Sequence, residues 1–188
     1  MMESGIDRGW LTGVRRVDSP NCDDRPDATD IDLVVIHGIS LPPGRYGGPH
    51  IDQLFTNTLD ERVDPYFSVI AGLKVSAHLL IQRDGTITQY VSFDCRAWHA
   101  GLSSFAGRDC CNDFSIGIEL EGCDDQPYDD NQYSALVSVL RILMNQFPAI
   151  TRERICGHCM IAPDRKTDPG PAFDWVRLHE MLAIDMNV

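Results

Sequence analysis

The chain has 188 residues, 43% hydrophobic and 23% charged, a balance that suits one globular domain with a sizeable core and excludes the disordered classes. Its formal net charge of -12, from 28 acidic against 16 basic residues that lie scattered, argues against a broad nucleic-acid footprint, so an anionic ligand would need locally placed cations. No stretch approaches a membrane span, and MMESGIDRGWLTG at the start lacks the apolar core of a signal peptide; a cytoplasmic location is expected, and seven cysteines without disulfide-framework spacing fit a chain kept reduced.

No internal repeat, low-complexity tract or long linker interrupts the sequence, and a single domain over residues 1–188 is expected. IDLVVI (31–36) is a continuous apolar, β-branched run, the pattern of a strand buried on both faces, and it ends at His37-Gly38, where a functional side chain is well placed. GISLPPGRYGGPH (38–50) is too long and too rich in Gly and Pro for a turn and reads as a flexible lid or binding loop. SAHLLIQ (76–82) and TITQYV (86–91) flank an Asp-Gly turn, which predicts a hairpin. SIGIEL (115–120) sets Ile116, Ile118 and Leu120 on one strand face and Gly117, Glu119 and Glu121 on the other, so two carboxylates share a face.

From Asp129 the period changes to that of a helix, with Tyr133, Leu136, Val137, Leu140, Leu143, Met144 and Phe147 on one side and Pro148 at the end. A final helix is expected from Pro171, with Trp175, Leu178 and Leu182 on one face. The order of elements predicts an α/β fold, a central mixed β-sheet flanked by helices.

CGHC at 156–159 has the form of a thiol-disulfide exchange motif. Such a motif works at a helix amino terminus directly after a buried strand, where the dipole lowers the first thiol's pKa. Here charged TRERI precedes it and the three prolines of MIAPDRKTDPGP follow, so the redox context is read as missing. A four-thiolate zinc centre from Cys110, Cys111, Cys156 and Cys159 is disfavoured, because adjacent cysteines point to opposite sides of an extended chain and the Cys-x-x-Cys spacing occurs once. His158 stands ten residues before Asp168 in a proline-stiffened stretch suited to holding ligands, and His37 is a candidate third partner for a catalytic zinc.

The motifs VVIHGISLPPG, GGPHIDQLF, VSAHLLIQRDG, RAWHAG, CNDFSIGIELEG and GHCMIAPDRKTDPGPAFDW, in this order and spread nearly end to end, resemble the AmpD family of N-acetylmuramoyl-L-alanine amidases. More loosely, their order is similar to that of phage amidase lysozymes and peptidoglycan recognition domains, which implies the same fold. The resemblance implies one zinc ion per chain held by His37, His158 and Asp168, Glu119 as general base and Lys166 as the cation facing the oxyanion; strand geometry alone leaves Glu121 as the alternative base. It further implies a muropeptide substrate, cleaved between the lactyl group of 1,6-anhydro-N-acetylmuramic acid and L-alanine during cell-wall recycling. Tyr66 and Trp98 are the implied aromatic contacts, and Lys74 and Arg108 the cations for the stem peptide. The chain departs from the family pattern at Lys74, where Arg is usual, at Cys110, where a basic residue is usual, and at Gly38, where Asn often stands. Neither nucleic acid nor membrane is expected as a partner, and the chain is expected to act as a monomer. A non-catalytic muropeptide-binding module of the same fold is the alternative reading, and a thiol oxidoreductase is a third.

Overall fold

A computed structural model describes residues 5–184. The fold is organised around a six-stranded sheet whose strands are β1 (Arg15–Arg16), β2 (Leu33–Ile39), β3 (Leu79–Ile81), β4 (Ile87–Gln89), β5 (Ser115–Glu121) and β6 (Ile155–Gly157). Their spatial order is β6-β2-β5-β3-β4-β1. β2, β5 and β3 run parallel, as do β6 beside β2 and β1 beside β4, while β3 and β4 form the expected antiparallel hairpin, so the sheet is mixed. The hairpin closes through the Asp84-Gly85 turn, with Gly85 at a φ of +86° that favours glycine.

β2 is central because its residues carry no polar side chain until His37: Leu33, Val34, Val35 and Ile36 are all fully buried. The strand does not stop at His37, as the sequence suggests, but continues to Ile39, because Gly38 and Ile39 pair with Leu120 and Glu121 of β5. Alternation divides the sheet into two working faces. One carries Val34, Ile36, Ile116, Ile118 and Leu120 against α3 (Asp130–Gln146) and α5 (Trp175–Ala183). The other carries His37 and Glu119, which are register partners and therefore neighbours on one side.

α3 matches its sequence pattern. Asp129 caps it in a reciprocal capping box with Gln132, and Tyr133, Leu136, Val137, Leu140 and Leu143 face the core. α5 starts at Trp175 rather than Pro171, since Asp174 is the residue whose carboxylate accepts from the Arg177 N–H and opens the helix. CGHC also differs from expectation: a strand, β6, does precede it, and the one-turn α4 (His158–Ile161) follows. Yet Cys156 lies inside the strand, and burial pushes its thiol up to about 12, the reverse of what a redox nucleophile needs.

Two shorter helices, α1 (His50–Phe55) and α2 (Phe67–Ile70), pack over the Leu80, Tyr90 and Ala97 side and wall one flank of the site. Arg25, only 6% exposed, stitches the segment leading into β5: its guanidinium donates to the carbonyls of Phe93, Asn112, Asp113 and Ser115 at 2.8–3.2 Å. Removing it leaves those acceptors without a donor, so Arg25→Ala is expected to cost about 3 kcal/mol or more, read from denaturant unfolding midpoints. Among the described residues no helix is long and apolar enough to cross a membrane.

Candidate active site

At the carboxyl end of β2 three ligand-type atoms converge. His37 Nδ1 lies 3.0 Å from His158 Nδ1, and Asp168 Oδ2 lies 3.1 Å from each. β2 supplies His37, the first residue of α4 supplies His158, and the loop beyond α4 returns Asp168 so that its carbonyl accepts from the Cys159 N–H at 2.9 Å. Both imidazoles are 2% exposed, so the triangle is formed by burial and not by side chains meeting in solvent.

The surrounding hydrogen bonds assign each proton. His158 Nε2 faces the Ala100 carbonyl at 3.2 Å, an acceptor only, so Nε2 carries the hydrogen and Nδ1 is bare. Ser115 Oγ donates to the Cys111 carbonyl at 2.5 Å and therefore accepts from His99 Nε2 at 3.2 Å. His99 Nδ1 is then the acceptor for His37 Nε2–H at 2.9 Å, which leaves His37 Nδ1 bare as well. In these tautomers two bare nitrogens and a carboxylate oxygen point at one another from about hydrogen-bond distance, an arrangement that could accept a cation. Burial draws the His37 imidazole down to about 4, against the raising effect of its Asp168 contact. Burial would raise the Asp168 carboxyl, but the two imidazoles beside it, His158 and His37, hold it well below the usual carboxylate range. A tetrahedral zinc with bonds of about 2.0–2.1 Å spaces its ligands by about 3.3–3.4 Å, close to the edges of this triangle. His37, His158 and Asp168 could therefore hold a divalent metal ion, and they form the only such cluster among the described residues. The four-cysteine alternative is not assembled.

The triangle opens into a cleft of about 510 Å³ that Glu119, Lys166, Tyr66 and Trp98 also line. Glu119 Oε2 is buried without a hydrogen-bond partner, and burial, then the Asp168 charge, pushes the carboxyl well above its ordinary range while Lys166 opposes the shift. Glu121 is occupied elsewhere: its two oxygens accept from the Gly47 N–H at 2.5 Å and the Arg83 N–H at 3.2 Å. That contact, with the Tyr46 hydroxyl donating to Gln126 at 2.7 Å, pins the expected lid loop at its far end to the rim of the cleft. Trp98 is steadied by Asp23 at 3.1 Å from its indole N–H, and Tyr66 stands 39% exposed at the mouth.

Two residues expected to contact the stem peptide, Lys74 and Arg108, do not line this cleft. Lys74 lines a smaller recess beside Leu59 that shares Leu54, Ile70 and Leu73 with the cleft. Arg108 is committed to Asp30 and Asp32 and stacks on Phe114 at 3.8 Å, because the two aspartates ahead of β2 neutralise it first. Gly38 has a local reason: a side chain there would meet the Tyr128 hydroxyl at 2.4 Å. RAWHAG and CNDF also contain His99 and Asn112, whose part in the site residue type alone does not reveal. Asn112 Oδ1 accepts from the backbone N–H groups of both His99 and Ala100, at 3.1 and 2.8 Å. Arg165 holds the next turn through the carbonyls of Ala100 and Leu102 at 2.7 and 2.8 Å.

A buried acid and a lysine set beside a triangle of cation ligands form the layout of a hydrolase that attacks an unreactive bond. The chain belongs to the N-acetylmuramoyl-L-alanine amidase family, whose model it matches over residues 27–171. It is 59% identical over 181 residues to the 1,6-anhydro-N-acetylmuramyl-L-alanine amidase AmpD of Salmonella typhimurium (strain SL1344), covering 96% of each chain. The crystal structure of a selenomethionine AmpD derivative superimposes with a TM-score of 0.91 at 58% identity, covering 94% of this chain and 98% of that one. AmiD of Escherichia coli, solved in complex with the substrate anhydro-N-acetylmuramic acid-L-Ala-D-γ-Glu-L-Lys, gives a TM-score of 0.59 at 27% identity over 95% of this chain and 65% of its own.

Proposed function

We propose that the protein hydrolyses the amide between the lactyl group of 1,6-anhydro-N-acetylmuramic acid and L-alanine in cell-wall recycling, with one zinc ion held by His37, His158 and Asp168. The observation that carries this reading is the convergence of three bare ligand atoms at 3.0–3.1 Å in the same cleft as the unpartnered Glu119 carboxylate. When bound, zinc supplies Lewis acidity that activates water and polarises a carbonyl. An amide needs that help, being a poor electrophile with a poor leaving group.

Glu119 takes the proton of the attacking water as the bond to the amide carbon forms, and returns it to the alanine nitrogen as the C–N bond breaks. Its burial suits the second half of that cycle, when it must act as an acid. Lys166 serves both halves: it favours the ionised carboxylate beforehand and stabilises the negative oxygen of the tetrahedral intermediate. Trp98 and Tyr66 offer aromatic surface to the comparatively apolar face of an anhydro sugar. The seven free cysteines suit the reducing cytoplasm in which recycling would occur.

Purified protein incubated with anhydromuropeptide, with and without chelator, is expected to release free stem peptide by mass spectrometry. Release should be lost on chelation and restored by zinc. Absence of release under every metal condition, with binding retained, would leave a muropeptide-binding module instead. Release should survive in the Cys156→Ala/Cys159→Ala double variant, since Cys156 is sealed in an apolar cluster with Leu33, Val35 and Cys111.

A further inference from the structure

We propose that His99 is a positioning residue of the metal site, fixing the tautomer and tilt of His37 and thereby how tightly the site holds its ion. This inference rests on the zinc reading above and deepens it. His99 lines the cleft, yet both of its ring nitrogens are already used, one by His37 at 2.9 Å and the other by Ser115 at 3.2 Å. A ligand in the cleft would find only its carbon edge, so a direct part in proton transfer is closed to it.

The hydrogen-bond chain has one direction. It runs from His37 Nε2–H to His99 Nδ1, from His99 Nε2–H to Ser115 Oγ, and from the serine hydroxyl to the Cys111 carbonyl, which has no hydrogen to give back. Reversing it would place a hydrogen on His37 Nδ1, where the ion must sit. The fixed carbonyl at the far end therefore writes the correct tautomer into the ligand, and the outer partner of a metal-bound histidine is known as a class to tune ligand basicity and orientation. His37 and His99 meet edge to face, with planes at 86° and centroids 5.0 Å apart, so the ring plane of one restrains the other.

His99 is itself held from three sides. Asn112 accepts from its backbone N–H, Ser115 from its ring, and the ring lies directly on Gly117, where an added Cβ would fall 2.4 Å from Cγ. Gly117 is thus a space requirement: the strand must lack a side chain for the imidazole to reach His37. The adjoining residue repeats the function for the second ligand, since the Ala100 carbonyl accepts from His158 Nε2–H.

The test uses the full chain and zinc itself as probe, with affinity measured by competition against a chromophoric chelator. His99→Ala is expected to bind zinc about 10- to 100-fold more weakly than the parent. His99→Asn, whose Oδ1 can stand where Nδ1 stood, should recover most of that loss. Gly117→Ala, with His99 present but displaced, should weaken binding in the same direction, and Gly117→Ala/His99→Ala should be no weaker than His99→Ala alone, because both act through one contact. Independently, nitrogen-15 NMR of the chelated parent protein should show hydrogen on Nε2 of both His37 and His99. Parent-like affinity in His99→Ala, no recovery in a folded His99→Asn, or a hydrogen on His37 Nδ1 would each overturn the inference while leaving the zinc reading in place. A parent protein that binds no zinc would overturn both.

Discussion

Glu119→Gln is expected to keep the fold and zinc affinity of the parent while kcat on an anhydromuropeptide falls by about 10²- to 10⁴-fold, the usual worth of a positioned general base. The argument is positional. Register pairing sets Glu119 beside His37 on one face of the sheet, and its Oε2 is buried in the cleft with no other hydrogen-bond partner to serve. Glu121, two residues on, spends its oxygens on Gly47 and Arg83. Turnover that persists in Glu119→Gln and disappears in Glu121→Gln would reassign the base.

The same substitution should raise stability in the chelated protein, with a definite sign in pH. Burial lifts the folded-state pKa of Glu119 well above the ordinary 4.5, so the folded chain keeps its proton after the unfolded chain has released its own. The stabilising contribution of the protonated acid is complete below the unfolded pKa and is lost as pH rises towards the folded one. Glutamine has no proton to lose. The variant's advantage in Tm should therefore be absent near about pH 4 and grow towards neutrality. Equal Tm differences at both pH values would show that Glu119 is not held as a buried acid.

His37→Ala is expected to abolish stoichiometric zinc and, with it, turnover. Its effect on affinity should exceed the roughly 10- to 100-fold cost of losing an outer partner, because a catalytic site of three protein ligands is left with two. Metal analysis after gel filtration checks the first half and the stem-peptide assay the second. Zinc retained at one equivalent in a folded His37→Ala would remove His37 from the ligand set.

The candidate site was legible where residue type and local order carry it. IDLVVI announces a strand buried on both faces, SIGIEL announces which side its carboxylates take, and the family motifs name His37, His158, Asp168, Glu119 and Lys166; the structure gathers all five in one cleft. Elements a few residues long were harder to see. β6 is three residues beside a charged run and exists because Val34, Val35 and Ile36 of β2 offer it an edge. The start of α5 depends on a cap at Asp174 that the more obvious Pro171 obscures. Arg108 looked available because its neighbours in sequence do not include Asp30 and Asp32, its neighbours in space.

By itself the sequence determined the class of fold, the family and which residues are candidates for the site, because apolar periodicity, capping and short motifs are local properties. Only the tertiary structure shows that Glu121 is hydrogen-bonded where Glu119 is not, that Arg108 is paired with Asp30 and Asp32, and that His99 lies against His37. Those outcomes depend on which hydrogen-bond donors and acceptors remain unsatisfied once distant segments meet. Proton positions follow the same rule: a chain of contacts from His37 through His99 and Ser115 to the Cys111 carbonyl favours the tautomer in which His37 Nδ1 is bare.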